Sequence, residues 1–122
     1  MQKRQRPVEV ESATYRVTTG CGHLYVTVGS NGEQVIETFA TLGKAGGCAR
    51  SQNEALTRAV SLGLKYGVPI EEYIEEFESI RCSNLTWSNG EQILSCADAI
   101  AKVLREETKR HSKKQDTGTQ CE

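Results

Sequence analysis

The chain is poor in the features by which most enzymes and membrane proteins announce themselves in sequence. It has no long apolar run. No segment approaches the roughly 20 residues that span a bilayer, and the basic residues Lys3, Arg4 and Arg6 are not followed by the apolar stretch of a secretion signal. A cytoplasmic setting without a membrane partner is therefore expected. There is no excess of charge of one sign: the formal net charge is −1, which excludes the global basic character of a nonspecific nucleic-acid binder. Histidine is scarce, and with His23 alone inside the periodic part of the chain no base stands ready to activate a nucleophile. No two cysteines show the CxxC spacing of a zinc knuckle, and the phosphate-binding P-loop spacing is absent. A length of 122 residues buries one core and leaves no room for a lidded active site.

What is present reads as strands first and helices after. Residues 13–19 alternate β-branched and aromatic positions up to Gly20, and residues 23–28 place Leu24, Val26 and Val28 on one face of a second strand. Asn31-Gly32 is a hairpin signal. A third strand over 34–42 draws its apolar side chains from Val35, Ile36, Phe39 and Leu42. From Cys48 or Ser51 to about Tyr66, Ala55, Leu56, Ala59, Val60 and Gly63 recur at helical steps, and Gly67 closes that helix. A second helix opens at Pro69, with Ile70, Tyr73, Ile74, Phe77 and Ile80 as its buried stripe. Residues 81–91 read as an ordered loop in which Trp87 plugs the core, with a lid over a pocket as the other reading. Ser95 caps a third helix, Asp98 reaching back to it, and Ala97, Ile100, Ala101 and Leu104 face inward.

The predicted fold class is α+β: a three-stranded antiparallel meander followed by three helices packed on one sheet face, a two-layer sandwich. Residues 1–12 are expected to be a flexible basic segment, 13–110 the domain, and 111–122 a disordered polar tail. The other sheet face would show Thr14, Arg16, Thr18, His23, Tyr25 and Thr27 to water. So small a half-covered sheet suggests a homodimer or higher homo-oligomer.

Residues 42–49 (LGKAGGCA) are the first candidate site. Small residues let backbone approach a partner, and a helix start offers unpaired N–H groups to an anion. A nucleotide or similar ligand would set its phosphate on Gly43, Lys44, Gly46 and Gly47, aided by Arg58 or Arg81, with Trp87 or Tyr25 stacking on a base. A plain strand-to-helix turn is the alternative. Cys21, Cys48, Cys82 and Cys96 each stand beside a turn or a helix start. They would bind zinc if they converged, Cys48 and Cys96 would be reactive if the helix dipole lowered their pKa, and all would be plain packing otherwise.

Together, residues 19–28 (TGCGHLYVTV), 43–49 (GKAGGCA), 80–83 (IRCS) and 94–101 (LSCADAIA) resemble the TSCPD domain, a module at the C-terminal end of many cobalamin-dependent ribonucleotide reductases that also occurs alone. The resemblance covers roughly residues 14–106. Ala97 and Ser83 stand where the family pattern has proline. The resemblance implies a link to deoxyribonucleotide supply for DNA synthesis, with a ribonucleotide reductase as a partner. It does not imply reductase activity for this chain, since the catalytic barrel is missing, nor cobalamin on the chain itself. The expected function is a stand-alone accessory module that binds a nucleotide or another anion at the glycine-rich turn. The alternatives are a zinc-stabilised structural or protein-interaction module, and a phage-type sponge for cyclic nucleotide signals.

Overall fold

The computed structural model of the chain describes residues 2–43 and 47–120, with 112–120 as backbone only. Strands β1 (Glu11–Thr19), β2 (Gly22–Ser30) and β3 (Val35–Leu42) form an antiparallel sheet in that order. Helices α1 (Gly47–Lys65) and α2 (Ile70–Phe77) follow, then a hairpin of β4 (Thr86–Ser88) and β5 (Glu91–Ile93), then α3 (Cys96–Gln120). The α+β meander-then-helices order is the expected one.

Period-two alternation sorts the sheet faces. The register sets Tyr15 opposite Val26 and Val17 opposite Leu24 on the covered side, with Thr14 opposite Thr27 and Arg16 opposite Tyr25 on the other. Leu24, Val26 and Val28 are at most 1% exposed and meet Ile100 and Leu104 of α3, both fully buried, in one apolar core. At the β2–β3 turn, Asn31 Oδ1 accepts the N–H groups of Glu33 and Gln34, each at 3.0 Å. The N-terminal segment is tied to the same end: Arg4 N–H donates to the Lys65 carbonyl and Arg6 pairs with buried Glu37 at 2.6 Å.

Helix α1 is rotated from the face its apolar residues predict. Ala55 and Ala59 are exposed and Leu56 is half-buried, while Asn53, Thr57, Val60, Ser61 and Leu64 are buried. The reason is the free edge of β3. Thr57 Oγ1 accepts the Ala40 N–H (3.2 Å), and Ser61 Oγ accepts the Thr38 N–H (3.0 Å) and donates to the Thr38 carbonyl (2.7 Å). Helical hydroxyls thus stand in for a fourth strand. Gly63 lets α2 approach, since a Cβ there would collide with the Tyr73 hydroxyl.

Helix α2 ends at Phe77, so Ile80 lies beyond it and is 45% exposed rather than part of a buried stripe. Residues 81–91 are not a plain loop. Asn89 (φ 51) and Gly90 (φ 82) make the left-handed turn of a tight hairpin, whose Ser88 Oγ accepts the Thr18 N–H at 3.3 Å on the outer edge of β1. Trp87 sits between Thr86 and Ser88, and alternation turns it outward: it is 66% exposed and plugs no core. Ser95 caps α3 through its hydroxyl to the Asp98 N–H (3.0 Å). Asp98 does not reach back to Ser95, however, because its carboxylate is taken by Leu94, Ser79 and Lys102.

Candidate functional site

Both sheet edges are covered, α1 lying on one and the short hairpin on the other, which leaves one sheet face open. On it Arg16, His23 and Tyr25 are exposed, and so is Phe39 of β3, one of the residues expected to supply that strand's apolar side chains. Tyr25 and Phe39 are 41% and 44% exposed. Between this face and α1 runs a groove of about 330 Å³, lined by Phe39, Thr41, Arg50, Glu54 and Arg58 among others. Arg58 pairs with Glu54 at 3.2 Å, and both are well exposed. The glycine-rich turn leaves β3 at the end of the groove: the Gly43 N–H donates to the His23 carbonyl (2.9 Å), and a Cβ on Gly43 would touch the Tyr25 ring at 3.6 Å.

Gly43, Arg58 and Tyr25 are therefore brought to one side of the molecule. Lys44 and Gly46 lie outside the described residues, and Gly47 is the first residue of α1. Arg81 and Trp87 are not brought there: both belong to the segment at the β1 edge, across the sheet, and neither lines the groove. Of the groove residues only Arg58 was a candidate from sequence; Phe39, Thr41, Arg50 and Glu54 were not singled out for a site. For Phe39 the signal was available, because it has the opposite strand parity to Leu42, which faces the core opposite Leu24.

The thiols cluster at the hairpin end. Asn84 directs its N–H to Cys82 Sγ (3.4 Å) and its side-chain amide to Cys21 Sγ (3.8 Å), while Cys96 Sγ lies 3.9 Å from Thr19 Oγ1. Burial pushes the Cys96 thiol up, and the negative character of Cys21 and Cys82 adds to it, against lowering hydrogen bonds from Asn53 and Thr19. A first-turn position thus does not make Cys96 the activated thiol that the helix dipole alone suggests. Cys48 is exposed at the start of α1. Among the described residues no three His, Cys, Asp or Glu side chains are grouped so as to hold a metal ion.

Two further polar sites went unnoticed in sequence. Tyr15, its pKa pushed up to about 12 by burial and by Glu107, donates to buried Glu107, whose other oxygen lies 3.4 Å from His111 Nε2. A cleft of about 370 Å³ between β1, the hairpin and α3 holds Arg16, Lys102, Arg105 and Lys109 beside Glu91 and Glu106. There Lys102 and Arg105 are already paired, with Asp98 and Glu78.

Among the described residues no helix is long and apolar enough to cross a membrane. A family model described as "TSCPD domain" matches residues 2–108. Similar curated proteins are vitamin B12-dependent ribonucleotide reductases: that of Agrobacterium fabrum is 34% identical over 107 residues, covering 86% of this chain and 8% of that protein. Those of Streptomyces clavuligerus (31% over 104 residues, 84% of this chain, 11% of that protein) and Bradyrhizobium diazoefficiens (32% over 109 residues, 87% and 9%) are similar as well. The chain thus spans about a tenth of the length of these relatives. No solved structure matches it.

Proposed function

The chain belongs to the TSCPD domain family, and from that premise we propose that it is an accessory module of ribonucleotide reduction that binds a nucleotide or related anion on its open sheet face. The observation that carries this reading is the juxtaposition of the Tyr25 ring, Gly43 and the Arg50–Arg58 groove on one side of the sheet. An exposed aromatic ring offers a stacking surface, the two guanidinium groups offer charge-assisted hydrogen bonds to a phosphate, and Gly43 carries no side chain to crowd the ring. A reductase is the partner that such a module would serve. Nucleotide titration by calorimetry tests the placement. Tyr25→Ala should weaken binding by roughly five- to a hundredfold, the range for one lost stack, and Arg58→Gln by about tenfold. Both side chains are exposed, so melting temperatures should hold. Full affinity in both variants would remove the site from this face.

Asn84 contacts both Cys21 and Cys82, and Cys96 stands on Thr19 two residues from Cys21; this neighbourhood supports a second reading, in which metal binding draws these thiols and Cys48 together and the module is structural. Zinc would be held as a thiolate complex and would stabilise the fold. Native mass spectrometry of the purified protein should then show one zinc per subunit that disappears in Cys96→Ser; a metal-free mass removes this reading.

A further inference from the structure

Resting on the nucleotide-binding reading above, we propose that the open sheet face is a platform for a short single-stranded nucleic acid rather than for one nucleotide. Tyr25 lies opposite Thr41, and Phe39 opposite Thr27, so the two exposed rings are diagonal neighbours on adjacent strands. That diagonal separates the residues by about 7–8 Å. Two rings so placed can each receive one of two successive bases, and stacking accepts any base because every base has a π-face.

Cations flank the ring pair on both sides. Arg16 stands directly opposite Tyr25 on β1, while Arg50 and Arg58 lie beyond Phe39 on α1. A mononucleotide carries its phosphates on one side of its base. A nucleotide inside a strand has a phosphate on each side, and a platform with cations at both flanks matches that chemistry. Between the flanks the face presents His23, Thr27 and Thr41, with Thr14 and Thr18 beside Arg16 on β1.

The carboxylates near the rings face cations of their own: Glu54 in the groove is paired with Arg58, Glu37, further along β3, is buried under Arg6, and Glu91 and Glu106 share the cleft beside β1 with Arg16, Lys102, Arg105 and Lys109. Exposed Glu71, Glu72, Glu75 and Glu76 lie on α2, away from this face. A net charge of −1 excludes a generally basic protein, but charge separated in this way still gives one face that attracts a polyanion.

Fluorescence anisotropy with 5′-fluorescein oligothymidylates of two, four and eight nucleotides, with thymidine triphosphate as competitor, tests the proposal. The tetramer should bind at least roughly tenfold tighter than the triphosphate, with a log–log salt slope near about −2 for three phosphate contacts. Phe39→Ala should weaken the tetramer by roughly five- to a hundredfold. Arg16→Gln should weaken the tetramer while leaving the triphosphate unchanged, since a single nucleotide in the α1 groove does not need the β1 flank. If the octamer binds no better than the triphosphate, or Arg16→Gln leaves the tetramer untouched, the strand platform is overturned and the single-nucleotide site stands. A cyclic dinucleotide that displaces the octamer at lower concentration than the tetramer does also overturns it. If neither triphosphate nor oligomer binds, both readings fall together.

Discussion

Asp98 is 2% exposed, yet it accepts hydrogen bonds from the Leu94 and Ser79 N–H groups, both at 3.1 Å, and from the Lys102 ammonium at 2.5 Å. Burial by itself would raise its pKa. The bonds from Lys102, Leu94 and Ser79 outweigh that and hold the carboxyl below its ordinary value of 3.8. With the folded pKa below the unfolded one, Asp98 contributes stability that is fully present above about pH 4 and is lost as the pH falls through the folded value. Asp98→Ala should cost about 3 kcal/mol in urea unfolding at pH 7, because it also leaves two backbone donors and Lys102 without their acceptor. The variant should also lose stability less steeply than the parent as the pH falls below about 4. An unchanged midpoint would show that the three donors find water instead. Asp98 was legible as part of a helix start; its bond from Ser79 was not, because Ser79 lies 19 positions away in the chain.

A short sheet with two free edges invites pairing with other chains, and here two elements prevent it. Thr57 and Ser61 of α1 satisfy the backbone of β3, and Ser88 of the hairpin satisfies Thr18 of β1. Thr57→Val and Ser61→Ala each leave a buried β3 N–H unpaired and should cost about 1–3 kcal/mol. The double variant should also aggregate on heating, as light scattering would report; variants that melt like the parent would mean that α1 covers the edge by packing alone. The strands and the type of each helix were legible, since alternation and helical repeat are local properties. The rotation of α1 was not. A rule that places apolar residues inward chose Ala55 and Ala59, whereas the deciding contact is polar and joins residues 23 positions apart. The hairpin was half legible: Asn89-Gly90 is a turn signal, but strands of three residues are too short for alternation to register.

Over the whole molecule, charge and exposure are divided between surfaces. Arg16, Tyr25 and Phe39 occupy the open sheet face, Glu71, Glu72, Glu75 and Glu76 occupy α2, and three of the thiols gather by the hairpin. Membership of the TSCPD family follows from sequence, because the family model matches residues 2–108. The sequence by itself likewise determined the meander, the Ser95 cap and the core of Leu24, Val26, Val28, Ile100 and Leu104, all of which depend on residue type at short range. Only the tertiary structure decided which candidate residues share a site. Gly43 and Arg58 lie on the β3 side with Tyr25, whereas Arg81 and Trp87 lie at the β1 edge. That sorting is set by strand order, by register and by the rotation of α1 against a bare edge. Each of these is fixed by hydrogen bonds between distant residues, whose free energy no local pattern encodes.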